Sequence, residues 1–154
     1  YQDFTDKKTE INMGNSINAL LNLGVIPIIN ENDPISINEL GPSFGDNDNL
    51  SAMVACKVKA DALIILTNVD GLYDQDPDSK GAKIIHDVYN FDSFVGNLGG
   101  SSNGLGIGGI KTKIAAAKLA TSNGIKTIIA NGTKIWVLND IISGKKIGTV
   151  FHTK

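Results

Sequence analysis

Apolar positions along the chain switch between helical and strand-like spacing. Over residues 9–23, Met13, Ile17, Leu20 and Leu21 recur three or four apart and Gly24 follows as a stop, which predicts a helix. Val25, Ile26, Pro27, Ile28 and Ile29 make a short unbroken apolar run that reads as a strand, with Pro27 arguing against a central position in a sheet. A polar stretch over 30–45 leads into a second predicted helix. There Asp46 or Asp48 can cap, and Leu50, Met53, Val54 and Val58 form the inner face. Residues 62–66 are apolar without alternation, the pattern of a strand covered on both faces in a parallel sheet. A turn-rich segment over 70–79 follows. Beyond it lie a glycine-dense stretch ending at Gly109, a predicted helix over 110–123, a strand over 125–130, a short helix over 136–142 and a last strand over 147–151.

Helices and strands that alternate in this way predict an α/β fold, a three-layer sandwich around a mostly parallel central sheet. No repeat, linker or second domain is visible. In such sheets ligands bind beyond the carboxyl ends of the strands, which directs attention to residues 30–33, 67–70 and 131–133.

Composition narrows the class. The 154 residues are 42% hydrophobic and 19% charged, which suits one core of a globular domain. A net charge of −2, without any basic run, leaves no electrostatic footprint for nucleic acid or an anionic membrane surface. No apolar run approaches the roughly 20 residues that span a bilayer, and the first residues lack the pattern of a secretory signal. The single cysteine, Cys56, sits among apolar neighbours and reads as a buried small hydrophobe; without a partner for an internal disulfide it points to a reducing, cytoplasmic compartment. His86 and His152 have no Cys or His neighbours at ligand spacing, so no resident metal site is expected.

Three constellations can carry chemistry. Gly104, Gly106, Gly108 and Gly109 precede Ile110, Lys111, Thr112 and Lys113 at the start of a predicted helix. Glycines let the backbone approach a ligand closely, and a helix N-terminus favours an anion, so the combination suits a phosphate; a plain surface loop with a solvated basic turn is the alternative. The match to G-x-G-x-x-G is not a dinucleotide fingerprint, because no strand precedes it and no acid follows at the required distance. It is not a Walker A loop either, since Ile110 separates Gly109 from Lys111. Second, Asp46, Asn47, Asp48 and Asn49 open a helix, either as a turn with a cap or as acids that orient lysines and hold magnesium-bound water. Third, Asn30, Glu31, Asn32 and Asp33 follow a predicted strand, as a polar turn or as a grip on a small polar substrate.

At these motifs, together with residues 66–73 and 148–152, the chain resembles the glutamate 5-kinases of the amino acid kinase family. The resemblance runs through nearly the whole chain with several motifs in matching order. It implies an amino acid kinase-like fold, with residues 1–154 corresponding to the C-terminal, nucleotide-binding portion of the kinase domain. It implies ATP-dependent phosphorylation of the γ-carboxylate of L-glutamate, the first step of proline biosynthesis, with ATP and Mg²⁺ required and a homo-oligomeric assembly. By position, Asn30, Asp33 and Asn47 match residues that hold glutamate, and Asp48 matches the aspartate that organises the catalytic lysines. Thr67 and Asn68 match a nucleotide-contacting pair. Ile107, Gly108, Gly109, Ile110, Lys111, Thr112 and Lys113 match the loop over the ATP phosphates, with Lys113 stabilising the transferring phosphoryl group. Asn68 stands where the family often carries aspartate, and Ile107 and Lys111 where smaller or more polar residues are common. The family's domain extends further at its N-terminus, with a glycine-serine phosphate loop, a second catalytic lysine and a serine that touches glutamate.

Other readings stay open on the residues alone. Acetylglutamate kinase, aspartokinase, carbamate kinase and uridylate kinase resemble the chain in the phosphate loop. A catalytically silent nucleotide- or amino-acid-binding module and a plain structural α/β domain are the readings from other classes.

Overall fold

The computed structural model describes residues 7–30, 47–91 and 107–153. In chain order the elements are α1 (Lys7–Asn22), α2 (Asn47–Val58), β1 (Ala62–Thr67), β2 (Leu72–Tyr73), β3 (Ile84–Ile85), β4 (Asp87–Val88), α3 (Ile107–Ser122), β5 (Lys126–Asn131), α4 (Val137–Ile142) and β6 (Thr149–Phe151). Among the described residues, a four-stranded sheet runs in the order β1-β5-β6-β4, and β2 pairs with β3 in a separate small ribbon.

β1 and β5 are parallel and in register from Ala62 opposite Lys126 to Thr67 opposite Asn131. Successive side chains on a strand point to opposite faces, so the sheet divides its apolar residues between two clusters. Leu63, Ile65 and Ile129 face one side, where Ala52 and Ala55 of α2 and Ala116, Ala117 and Ala120 of α3 pack on them. Ile128 and Ala130 face the other side, with Ile64 of β1 and with Val137 and Ile141 of α4. The alanine stripes on α2 and α3 let both helices lie close to the sheet and to each other. The sandwich thus has three layers, as the alternation of elements predicts. β1 is not covered equally on its two faces, however. Leu63 and Ile65 are buried while Leu66 is 45% exposed, because the short α4 covers much less of the sheet than α2 and α3 do.

The last strand departs from the parallel pattern. β6 pairs antiparallel with β5 and parallel with β4. α4 takes up only six of the residues between Asn131 and Thr149, and the chain comes back to lie antiparallel beside β5. That return is close: Gly148 has φ +74°, and a Cβ there would stand 2.1 Å from the Ile129 carbonyl oxygen. Thr149, fully buried, then accepts a hydrogen bond from the Leu72 N–H (2.8 Å) and donates one to the Ile85 carbonyl (2.6 Å). One hydroxyl therefore pins the β2–β3 ribbon, and with it the segment leaving β1, to the sheet.

The strand predicted over 25–29 is a correction. Those residues carry no regular hydrogen-bonded structure, and Ile26 and Ile28 are 86% and 96% exposed. Apolar character alone does not make a strand. The run needs a neighbour to take up its backbone groups, and among the described residues it has none. The helix before it does stop at Gly24, which takes φ +73° while the Val25 N–H reaches back to the Leu20 carbonyl (3.0 Å). Within α1 the inner face is narrower than predicted: Ile17 is buried, but Leu20 and Leu21 are exposed. Cys56 is half-buried and packs against the core, and burial pushes its thiol pKa up, as for an inert apolar filler.

Candidate active site

The helix–strand order fixes which end of the sheet is chemically equipped. α3 leads into β5 and packs back along it. Its sixteen residues rise about 24 Å, so its N-terminal turn stands level with the carboxyl end of β5. By the same logic α2, which leads into β1, starts at the carboxyl end of β1. Asn47 and Asp48, Lys111 to Lys113, the segment after Thr67 and the segment after Asn131 therefore converge on one edge, although they come from four stretches of sequence.

At the centre of this edge, Asp48 Oδ2 accepts hydrogen bonds from Lys113 Nζ at 2.8 Å and from Thr112 Oγ1 at 3.0 Å. Asp48 lies in the first turn of α2 and Lys113 in the N-terminal part of α3, and their side chains are 14% and 18% exposed. An ammonium held by a carboxylate in such partly dry surroundings stays fixed in place, and the pair interacts more strongly than it would in water. The turn of α2 is itself tied by Ser51, whose hydroxyl donates to the Asp48 carbonyl (2.6 Å).

Ile107, Gly108 and Gly109, expected to lie before the helix, form its first turn, so α3 begins three residues earlier than the sequence predicts. The first backbone N–H groups of a helix have no intrahelical partner, so these glycines present N–H donors together with the positive end of the helix. Ile110 is half-buried and packs on the core, whereas Lys111 is exposed. Asn47 and Asn30 are exposed, and Asn30 sits in irregular backbone. Asp33, Asp46 and Gly104 to Gly106 lie outside the described residues. The structure thus gathers Asp48, Thr112 and Lys113; it does not place Asp33 relative to them.

A second polar group stands where β1 and β5 end side by side. Gly132 donates to the Thr67 carbonyl at 2.8 Å, an approach so close that a Cβ on Gly132 would stand 2.9 Å from the Leu66 Cβ. Asp70 Oδ1 accepts from Asn131 Nδ2 (2.9 Å) and from Lys134 Nζ (2.7 Å), and Asn131 Oδ1 accepts from the Thr133 N–H (3.0 Å) and hydroxyl (2.7 Å). Lys134 first, and Asn131 second, hold the Asp70 carboxyl below its ordinary pKa. Thr67 and Asn68 sit beside this group, their side chains joined by a long contact of 3.4 Å. The strand-end rule points to residues 67–70 and 131–133; Lys134 lies one residue past that window, and nothing in its local sequence ties it to Asp70.

No group of three or more His, Cys, Asp or Glu side chains among the described residues could hold a metal ion, and no helix among them is long and apolar enough to cross a membrane. His152 Nε2 is instead 2.7 Å from Asp87, holding that carboxyl below its ordinary pKa, with Tyr89 stacked on the imidazole at 4.2 Å between ring centres.

Residues 1–131 match the amino acid kinase family, so this chain belongs to that family. It is 49% identical over 152 residues to a glutamate 5-kinase of Caldanaerobacter subterraneus and 46% identical over 153 residues to one of Clostridium perfringens. Each alignment takes in 97% of this chain but only 40% and 57% of the relative, so the chain spans about half the length of the curated relatives it matches. Among solved structures, a UMP kinase from Bacillus anthracis superposes with a TM-score of 0.54 at 21% identity, over 71% of this chain and 41% of that one. A uridylate kinase from Archaeoglobus fulgidus gives 0.51 at 28% identity, over 68% and 45%. These likenesses agree on a mixed, mostly parallel sheet flanked by helices.

Proposed function

We propose that this chain is the nucleotide-binding portion of a glutamate 5-kinase, transferring the γ-phosphoryl group of ATP to the γ-carboxylate of L-glutamate. The observation that carries the reading is the Lys113 ammonium held 2.8 Å from Asp48 at the start of α3, in a chain this similar to glutamate 5-kinases. In this reading the protein acts in the cytoplasm, in proline biosynthesis, as a homo-oligomer.

The chemistry asks for positioning and charge stabilisation more than for covalent help. A glutamate side chain is ionised at neutral pH, its ordinary pKa being about 4.3, so the acceptor needs no general base. The obstacle is bringing that anion up to a polyanion. Lys113 offsets the charge on the transferring group, the first turn of α3 offers its backbone N–H groups, and Asp48 keeps the lysine from swinging away. Thr67 and Asn68 contact the nucleotide, and Asn30, Asp33 and Asn47 hold glutamate. Mg²⁺, when bound, neutralises triphosphate charge. The described residues do not build a cage for it, since Asp48 Oδ2 is already committed to Lys113 and Thr112; such an ion is held mainly by phosphate oxygens and water.

The test is acyl-phosphate trapping with hydroxylamine on the longest natural protein that contains this segment, with ATP, Mg²⁺ and glutamate, aspartate, N-acetylglutamate or carbamate. Hydroxamate from glutamate alone is expected. Product from another acceptor moves the assignment within the family, and ATP binding without any product selects the silent module. Asp33→Ala is expected to raise KM for glutamate and leave KM for ATP unchanged.

A further inference from the structure

We propose that Asp70, held by Asn131 and Lys134, is the acceptor for the sugar hydroxyls of the bound nucleotide; this rests on the reading that a nucleotide binds at this sheet edge. Asp70 stands just past the end of β1, Asn131 ends β5, and the two strands are hydrogen-bonded neighbours in register to their last residues. The network around the carboxylate is one-sided. Both of its donors, Asn131 Nδ2 and Lys134 Nζ, go to Oδ1, and among the described residues none reaches Oδ2. Asn131 has no freedom to turn away, because its carbonyl oxygen is taken by the N–H and hydroxyl of Thr133. The result is an ionised carboxylate, 44% exposed, with both described donors on one oxygen and an ammonium beside it.

Charge decides which part of a nucleotide such a group can take. A phosphate is repelled by Asp70 and belongs with Lys113 and the start of α3. A vicinal diol carries O–H donors and no charge, and it suits a free carboxylate oxygen; the Lys134 ammonium, with N–H groups to spare, can donate to a hydroxyl oxygen. The nucleotide therefore lies along the carboxyl edge with its phosphates under the turn of α3 and its ribose at the end of β1 and β5. A surface ion pair that only ties two loops together is worth little and has no effect on ligand choice.

The experiment uses the longest natural protein containing this segment and measures Kd by calorimetry for ATP, 2′-deoxy-ATP and 3′-deoxy-ATP, in the wild type and in Asp70→Ala, Asp70→Asn and Lys134→Ala. Losing a hydrogen bond to a charged group corresponds to about tenfold in affinity or more. The wild type is expected to bind ATP about tenfold tighter than at least one deoxy analogue. Asp70→Ala should lose that preference by weakening ATP and leaving the analogue unchanged, with Asp70→Asn and Lys134→Ala intermediate. Equal affinities for all three nucleotides in the wild type overturn the proposal without needing any variant to fold. A uniform loss in Asp70→Ala, with the ratio intact, also overturns it and makes Asp70 a structural tether. Ribose discrimination in a protein that forms no glutamyl hydroxamate supports the proposal and removes only the kinase reading. A protein that binds none of the three nucleotides overturns the proposal together with the nucleotide site.

Discussion

Two carboxylate–lysine pairs stand on the same edge of the sheet and differ in nearly everything else. Asp48–Lys113 joins two helices, with side chains 14% and 18% exposed and a threonine hydroxyl on the same oxygen. Asp70–Lys134 joins two strand-end segments at 44% and 57% exposure, and among the described residues its partners reach only one carboxylate oxygen. Nearly equal N–O distances, 2.8 Å and 2.7 Å, thus conceal different physics. The inner pair is poorly screened, with two donors on one carboxylate oxygen, so it holds a charge at a fixed place. The outer pair is bathed in water, so it contributes little to stability and keeps an acceptor for something else. A lysine that must meet a transferring phosphoryl group needs the first arrangement, and a group that recognises a ligand's hydroxyls can use the second.

The largest effect that sharpens this contrast is on turnover. Lys113→Ala should lower kcat by about a hundredfold to a thousandfold, with the circular dichroism spectrum preserved; a change within fivefold would remove Lys113 from the reaction. Next is stability. Asp48→Ala leaves a partly buried ammonium without its carboxylate and should cost about 2 kcal/mol by urea denaturation. Asp70→Ala should cost under about 1 kcal/mol, and equal costs would erase the distinction between the pairs. Smaller still is the response to salt. Raising ionic strength from about 0.01 M to about 1 M shortens the screening length from roughly 30 Å to 3 Å. That should abolish the coupling between Asp70 and Lys134 in a double-mutant cycle while leaving most of that between Asp48 and Lys113.

The smallest effect is on acid stability. Asp70 and Asp87 both titrate below their ordinary value of 3.8 in the folded protein, Asp70 through Lys134 and Asp87 through His152. A depressed folded pKa means that the unfolded chain binds more protons as pH falls through this range. The stability these groups contribute is therefore present above pH 3.8 and is lost below it, as pH falls through the folded value. Asp70→Asn should flatten the acid limb of Tm against pH slightly, and Asp87→Asn likewise. An unchanged acid limb in both would show that neither pair holds its charge in solution.

How much of this was legible beforehand follows from how local each signal is. Helices α1, α2, α3 and α4 and strands β1 and β5 appear in the pattern because periodicity, the Gly24 stop and the unbroken apolar run over 62–66 act within a few residues. The Asp48 and Lys113 positions were marked as candidates from their places at helix starts. The strand predicted over 25–29 failed because a strand is a relation between segments, and an apolar run says nothing about its neighbour. β4 and the β2–β3 ribbon, at two residues each, are too short to leave a period.

The sequence by itself thus determined the four helices, strands β1 and β5, the family and the two helix starts that were marked as candidate sites, since capping, glycine freedom and side-chain period are properties of short stretches. Only the tertiary structure decided that β6 runs antiparallel to β5, because the direction in which two strands pair is a relation between segments and not a property of either one. It alone set Lys134 against Asp70, 64 positions away, because the register of β1 on β5 decides which segments leave the sheet together. Burial was settled at the same level: which of two chemically identical ion pairs is dry follows from what packs over it, and packing is a property of the whole fold.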